Sequence, residues 1–396
     1  MSNASVKQVK TYRYRLFPTR AQETALNATL DTLRLVYNSL LNERKFLHET
    51  TGKGVSQYTQ EKHFAPWRKD FPELADVHSH LLQNVALRVN LAFTAFFRRV
   101  REGDKKIERT PGFPRFKGVG QYDSLGFKEW GNGISFKGGS LYVSKIGHIK
   151  DKFHRPTEGT PKTATIRRQN GKWFVCIACE VQSEALPPSS ESVGIDVGLK
   201  TFAALSNGEF IANPRFFRRD ETALAKAGRK QARTKKRSRE RRKANKVLAR
   251  IHERVRNRRT DFCHQNARRL VNRFGVIAVE RLNVKGMVKR NPKNHCLAKS
   301  ISDAAWSQFR ECLTSKAESA SREVYAVDPA FTSQDCHQCG HRARKKLSER
   351  WHLCPMCGAS LDRDTNAAIN VLNRSLENRI GATMRGRYTD REAAAL

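Results

Sequence analysis

Two kinds of side chain in this sequence are spaced for chemistry: paired cysteines, and single acids set among apolar residues. Cys336-x2-Cys339 and Cys354-x2-Cys357 are separated by fourteen residues, and Gly340 and Gly358 directly follow the pairs. Two such turns offer four thiolates to one tetrahedral Zn²⁺, and glycine permits the backbone conformation that aims amides at the sulfurs. Four protein ligands leave no open position, so this zinc is expected to hold shape. His337, His341 and His352 lie close by in sequence and offer an alternative ligand in place of a cysteine, but read as surface histidines. A further C-x-x-C, Cys176 and Cys179, sits in an alternating run that turns its two thiols to opposite faces, which suits core cysteines.

The acids are Asp196, between Ile195 and Val197; Glu280, closing "GVIAVE"; and Asp364, in "LDRDTNAAINVL" at the start of a last helix. A carboxylate in apolar surroundings costs several kcal/mol unless a cation compensates. Taken singly, each acid has an ordinary alternative. Asp196 suits a turn, Glu280 an ion pair with an arginine, and Asp362 or Asp364 a helix cap. Whether they act together depends on the elements that carry them.

Those elements read in order. "VKTYRYRLFPT" alternates up to Pro18 and suits an edge strand. Helical periodicity follows at Leu26, Leu30, Leu33, Val36, Tyr37, Leu40 and Leu41, and again over Leu81–Val100. From about residue 106 to 183, short alternating runs broken by Gly, Pro and Asn predict a small antiparallel barrel. The first strand is expected to join it, making the helices an insertion. "SEALPPSSES" (183–192) reads as a linker. Three strands come next: "SVGIDVGL", "TFAALSN" and "EFIANP". In Arg229–Arg259, 16 of 31 residues are Lys or Arg. A sparse apolar line through Val247, Leu248, Ile251 and Val255 to Phe262 predicts a basic helix or helical hairpin with one packed face. A buried strand ending at Glu280, an amphipathic helix, the strand "REVYAVDP" and a final helix complete the series. The tail after about Ser375 is polar.

This is the element order of an RNase H-like domain, in which the first and fourth strands are neighbours and the last helix crosses them. Asp196, Glu280 and Asp364 would then converge at one edge. Two Mg²⁺ ions about 4 Å apart would relieve their repulsion, activate water and stabilise a leaving 3′ oxygen. No Ser-His-Asp or Cys-His arrangement, Walker loop or dinucleotide fingerprint competes.

Composition points the same way. The 396 residues carry 75 Lys and Arg against 38 Asp and Glu, a formal charge of +37, which suits a polyanionic partner such as nucleic acid. No apolar run approaches the roughly 18 residues of a membrane span, so no membrane partner is expected. Nine cysteines, an odd number with four in paired knuckles, suit metal binding in a reducing compartment. The chain is expected to be soluble and intracellular.

Taken in order, "YRYRLFPT", "LVYNSLL", "LQNVALRVNLAFTAFF", "GFPRFK", "GIDVGLKTFAALSNG", "VIAVERLNVKGM", "SISDAAWSQF", "CHQCG", "CPMCG" and "LDRDTNAAINVL" resemble the signature blocks of TnpB (OrfB) proteins. These are transposon-associated RNA-guided nucleases related to type V CRISPR effectors, and the resemblance covers nearly the whole chain. It implies an α+β multidomain fold: a wedge-like antiparallel β-barrel (1–20 and 106–185) with an inserted helical recognition lobe (21–105). A RuvC-like, RNase H-like nuclease domain (186–330 and 360–378) would follow, with an inserted zinc ribbon (331–359) and a polar tail (379–396). It implies catalysis by Asp196, Glu280 and Asp364 with Mg²⁺, Asp364 being preferred to Asp362 because it directly precedes "TNAA". It places Cys336, Cys339, Cys354 and Cys357 on structural Zn²⁺, and Gln83 on a helix face that meets a short DNA motif.

The implied partners are a guide RNA and target double-stranded DNA, bound by a monomer in a prokaryotic cytoplasm, at the nucleoid. The basic segment with Arg237, Arg241 and Arg242 would line the nucleic-acid channel. Two rivals remain open: a nuclease-inactive RNA-guided DNA-binding regulator, which would have lost an acid, and an RNase H-like transposase, which would need an end-recognition module.

Overall fold

In a computed structural model, the structure describes residues 6–102, 111–289, 295–346 and 348–393. The chain is mixed α/β and divides into two compact units, residues 7–182 and the remainder.

The first unit opens with β1 (Val6–Phe17) and α1 (Arg20–Thr51). Thr19 and Gln22 close a reciprocal capping box at the start of α1, and Gly52, at φ 68°, ends the helix in the left-handed conformation that glycine adopts without strain. Three short helices follow, α2 (Gln57–Glu61), α3 (Phe64–Asp70) and α4 (Pro72–Ala75), then α5 (Ser79–Glu102). Six strands complete the unit: β2 (Ser124–Phe127), β3 (Ile134–Lys137), β4 (Ser140–Val143), β5 (Gly147–Lys152), β6 (Thr160–Gln169) and β7 (Lys172–Ser183). With β1 they form a nearly closed sheet in the order β2-β6-β7-β1-β5-β4-β3, so the N-terminal strand is an interior member between β7 and β5. Helices and sheet share one core, in which Leu26, Leu33, Leu82 and Val85 pack with Tyr14, Leu125, Ile166 and Val175. In β7, Cys179 is buried and Cys176 half-buried on the opposite face.

The second unit is built on β8 (Ser192–Val197), β9 (Thr201–Leu205), β10 (Phe210–Ala212), β11 (Val276–Glu280) and β12 (Glu323–Val327). Their order is β10-β9-β8-β11-β12; β8, β9 and β10 run antiparallel in turn, whereas β11 is parallel to both β8 and β12. The helices are α6 (Phe216–Arg233), α7 (Arg239–Arg273), α8 (Val284–Lys289), α9 (His295–Ala304) and α10 (Trp306–Ser319). A small hairpin, β13 (Trp351–Leu353) and β14 (Ser360–Asp362), precedes the last helix, α11 (Arg363–Ala393). Helix therefore continues through most of the segment expected as a polar tail.

Strand alternation assigns the two sheet faces. Val193, Ile195, Ile277 and Val279 share a core with Leu270, Phe309 and Leu313 of α7 and α10, while Ala278 packs with Val371 of α11. The basic segment is a helical hairpin, α6 and α7, whose packed stripe is Ala244, Leu248, Ile251 and Val255. Val247, expected on that stripe, is 49% exposed. The stripe starts at Ala244, and a residue three further on falls off its edge. No helix of the described residues is long and apolar enough to cross a membrane.

Candidate active site and cysteine knuckles

Asp196 and Glu280 reach one edge of the sheet because β8 and β11 are parallel and in register. Val279 pairs with Ile195, so the next residue of each strand is an acid. Both acids share the parity of Gly194 and Ala278, the face that α11 covers. Gly194 sets how closely α11 approaches. A Cβ there would run into the backbone carbonyl of Ala368 and the backbone N of Leu372. Asp364 lies one helical turn before Ala368, and this brings its charge to bear on Asp196.

The electrostatics follow from that packing. Burial, then the charges of Glu280 and Asp364, push the Asp196 carboxyl well above its usual range. Burial also raises Glu280, against a hydrogen bond from Thr332 and the charge of Arg374. Asp364 is raised by burial and by Asp362, with Arg350, Arg363 and Lys200 opposing. Three half-buried acids, each held above its ordinary range, form a site that favours a cation. Asp362 serves the helix instead. Its Oδ1 accepts from the backbone N–H groups of Asp364 (2.9 Å) and Thr365 (3.2 Å), capping α11.

Several supporting residues were not singled out by the sequence. Thr332 Oγ1 donates to Glu280 at 2.7 Å and orients it. Asn366, Asn370 and Arg374 recur every fourth residue along α11 and hold the loop that leads into the first cysteine pair. The two amides donate to the carbonyls of Thr332 and Asp335, and Arg374 donates to those of Asp328 and Ala330. Period-four polar residues on a buried helix face are the pattern that could have revealed them.

Cys336, Cys339, Cys354 and Cys357 have sulfurs within 4.8 Å of one another. Sγ of Cys336 lies 3.6 Å from that of Cys357, and Cys339 is 3.5 Å from Cys354. Tetrahedral zinc with ligands at about 2.3 Å needs sulfurs about 3.8 Å apart, so the cluster fits that ion. The two turns repeat each other: Gly340 N–H donates to the carbonyl of Cys336 and Gly358 N–H to that of Cys354, with φ 74° at both glycines. Backbone N–H groups of Cys357 and Met356 pull the Cys354 thiol down to about 6. At Cys339 and Cys357 a backbone N–H is outweighed by burial and the neighbouring sulfurs, which raise the first and push the second up to about 12: four crowded thiols share their protons and do not all ionise together.

His341 is exposed and His337 Nδ1 lies 3.1 Å from Asn366 Oδ1. His352, however, is not a surface histidine. Alternation in β13 buries it completely and leaves Trp351 and Leu353 61% and 64% exposed. Its Nδ1 lies against Lys345 Nζ, and burial followed by the Lys345 charge lowers its pKa.

The expected nucleic-acid contacts are dispersed. Gln83 is half-buried on α5. Arg237, at φ 68° in the α6–α7 turn, and Arg242 are exposed. Arg241 turns inward, donating from Nη1 to the carbonyls of Gln231 (2.7 Å) and Thr234 (3.0 Å), where it closes the C-terminal end of α6. Arg254 and Arg258 pair with buried Asp220, and Arg259 with buried Asp303 at 2.9 Å.

Comparison with known proteins places this architecture. Residues 174–291 match the family model described as "Probable transposase", of the OrfB type, and residues 306–371 match the "Cas12f1-like, TNB domain". Residues 8–53 match a model described as "Helix-turn-helix domain". Here that segment is a strand and one 32-residue helix, so the two-helix recognition unit named by that description is not formed.

The chain is 34% identical over 380 residues to a Streptomyces pristinaespiralis protein named "Putative RNA-guided DNA endonuclease", covering 94% of this chain and 90% of that one. It is 28% identical over 382 residues to the InsQ protein of Escherichia coli, of the same description, with 93% and 92% covered. "TnpB-like protein L770" of Acanthamoeba polyphaga mimivirus is 22% identical over 404 residues, covering 95% of this chain and 75% of the relative. The chain belongs to the TnpB (OrfB) family.

Proposed function

We propose that this chain is an RNA-guided DNA endonuclease in which Asp196, Glu280 and Asp364 form one hydrolytic centre. The observation that carries the reading is the meeting of these three acids, from two parallel strands and the last helix, in a site that raises all three. In this reading the second unit is a RuvC-like, RNase H-like nuclease domain, and the segment around the four cysteines is its zinc ribbon. The seven-stranded sheet is a wedge and α1–α5 a recognition lobe for guide RNA and a target-adjacent DNA motif.

Asp196, Glu280 and Asp364 would hold Mg²⁺, which supplies Lewis-acid stabilisation of the phosphodiester and lowers the pKa of water. The protein's part is to fix the carboxylates: Thr332 orients Glu280, Asp362 anchors the helix end that carries Asp364, and Gly194 seats that helix. Base pairing to the guide would select the sequence, while Lys and Arg neutralise phosphate. All three acids being present favours this over a nuclease-inactive regulator, and the lack of a helix-turn-helix in residues 8–53 favours it over a transposase.

The test is to express the chain with its native flanking DNA and sequence the RNA that co-purifies. One discrete RNA is expected, and rewriting its 3′ segment should move the cut site in duplex DNA. If RNA-free protein with Mg²⁺ cuts duplex equally well, or cut sites ignore a rewritten guide, the transposase reading is the better one.

Zinc should act on stability before chemistry. Cys354→Ser or prolonged chelation is expected to lower the melting temperature and solubility, because a structural metal's binding energy is folding energy. Metal analysis should find about one zinc per well-folded chain; well-folded, zinc-free protein would refute the assignment.

A further inference from the structure

The carboxylate edge of the second sheet continues into a second, cationic feature. The β8–β9 turn carries Lys200, four residues beyond Asp196, and the β10–α6 loop carries Asn213, Pro214 and Arg215. Asn213 ties the two together, donating from Nδ2 to the carbonyl of Leu199 at 2.8 Å and accepting at Oδ1 from the N–H of Arg215 at 3.1 Å. Between them is an open cleft of about 720 Å³ whose lining includes Lys200, Arg215, Arg218 and Arg219 and no acid.

A chain of net charge +37 has many basic surfaces, so cations alone would mean little. Three observations set this cleft apart. Arg218 is paired with Glu221, but Lys200, Arg215 and Arg219 have no carboxylate partner among the described residues. In the hairpin the charge is only partly neutralised: Arg254, Arg258 and Arg259 have a carboxylate partner, while Arg237 and Arg242 are exposed. Arg215 is held at φ 48°, a conformation costly for a side-chain-bearing residue, so the fold sets the direction in which its side chain leaves the backbone at the N-terminal end of α6. Phe210, on the cleft wall, leaves 49% of its surface exposed, as a face on which a base can stack. Lys200 lies in the turn that leaves β8 directly after Asp196 and Val197, so the cleft opens at the same end of the sheet as Asp196 and Glu280.

We infer that this cleft seats a backbone phosphate of the unpaired DNA strand next to the bond being cut, held by Lys200, Arg215 and Arg219. The inference deepens the nuclease reading and rests on it for the identity of the strand. A fixed cationic seat on a phosphate flanking the bond being cut would add to the pull of the metal-loaded acids and set the strand's register. Arg219 and Lys200 act as positioning residues. Neither needs to touch the reacting atoms.

The experiment uses guide-loaded, full-length protein carrying Lys200→Gln with Arg219→Gln, and Lys200→Arg as a variant that keeps the charge. Target-duplex binding should be unchanged, while single-turnover cleavage falls about 30-fold, or ~2 kcal/mol of barrier. Lys200→Arg should stay near wild type. A single neutral methylphosphonate walked along the cut strand should slow the wild type sharply at one position near the cut. At that position it should cost the double variant far less, since only Arg215 of the three cations remains. Separately, the salt slope for binding a short oligodeoxythymidine should become shallower by about 1.4, for two single-strand phosphate contacts.

Unchanged cleavage together with an unchanged salt slope overturns the proposal, as does a methylphosphonate penalty that persists in full in the variant. If the wild type shows no guide-directed cleavage, the nuclease reading has failed. The oligonucleotide slope then decides the cleft alone: shallower supports it, unchanged rejects it.

Discussion

Alanine in place of Asp196 is expected to lower guide-directed cleavage by at least ~10³-fold, about 4 kcal/mol of barrier, with guide and target binding retained. In the proposed reading the cationic surfaces would grip the phosphates and the acids would serve only the reaction. Glu280→Ala and Asp364→Ala should behave alike. Asp362→Ala should cost about 1 kcal/mol of stability as a lost cap and leave most of the activity. Full activity in an Asp364→Ala enzyme would move the third acid elsewhere.

The same site has a signature in stability. The Asp196 carboxyl sits above its ordinary range chiefly through burial, then through Glu280 and Asp364. A group whose folded pKa is raised contributes stability that is complete below the unfolded carboxyl pKa and lost as pH rises through the folded value. In magnesium-free buffer, Asp196→Asn should therefore melt above wild type near neutral pH, and the gap should close as pH falls towards about 4, the usual aspartate pKa. Adding Mg²⁺ should raise the wild-type melting temperature and leave the variant nearly unmoved, since only the wild type gains a binding term. A variant less stable than wild type at neutral pH would show that Asp196 is a structural partner of some cation already in the fold.

Gly194→Ala is expected to be among the most damaging single-methyl changes in the second unit. The new Cβ would meet the Ala368 carbonyl and the Leu372 backbone N, and backbone cannot swing aside as a long side chain can. Overpacking of this kind costs about 1–3 kcal/mol or more. Cleavage should fall further than stability, because the helix that must shift carries Asp364 one turn from the collision. Gly228→Ala is the matched control: that glycine lies in α6 with open space around it, and alanine there should be neutral or stabilising by up to about 1 kcal/mol. Wild-type melting and cleavage in Gly194→Ala would mean that α11 is not seated as described.

Much of this site was legible because it depends on local rules. Alternation marks Asp196 and Glu280 as exceptions within apolar strands, and the C-x2-C turns with trailing glycine specify their own geometry within five residues each. Long helices with strong periodicity, such as α1 and α5, were equally plain. The tail was not. Its polar composition suggested an uninformative end, yet the α11 backbone stays helical to Ala393, because most of its residues are compatible with helix once the packed first turns have paid for nucleation.

What the sequence by itself determined was which residues are unusual: three acids in apolar settings, four cysteines in two identical turns, and an excess of positive charge. Only the tertiary structure decided which of these act together and which positive charges are left for a ligand. Parallel register between β8 and β11, strands far apart in the chain, aligns Asp196 with Glu280, and Gly194 lets α11 bring Asp364 to them. Arg241, Arg254, Arg258 and Arg259 look like Lys200, Arg215 and Arg219 when basic residues are only counted. The fold engages the first four on its own carbonyls and carboxylates and leaves the other three facing an acid-free cleft. His352 makes the same point in reverse, since one strand's parity buries it and exposes Trp351 and Leu353. The physical reason is that charge and hydrophobicity belong to a residue, whereas pairing, desolvation and field depend on neighbours that the chain brings together only on folding.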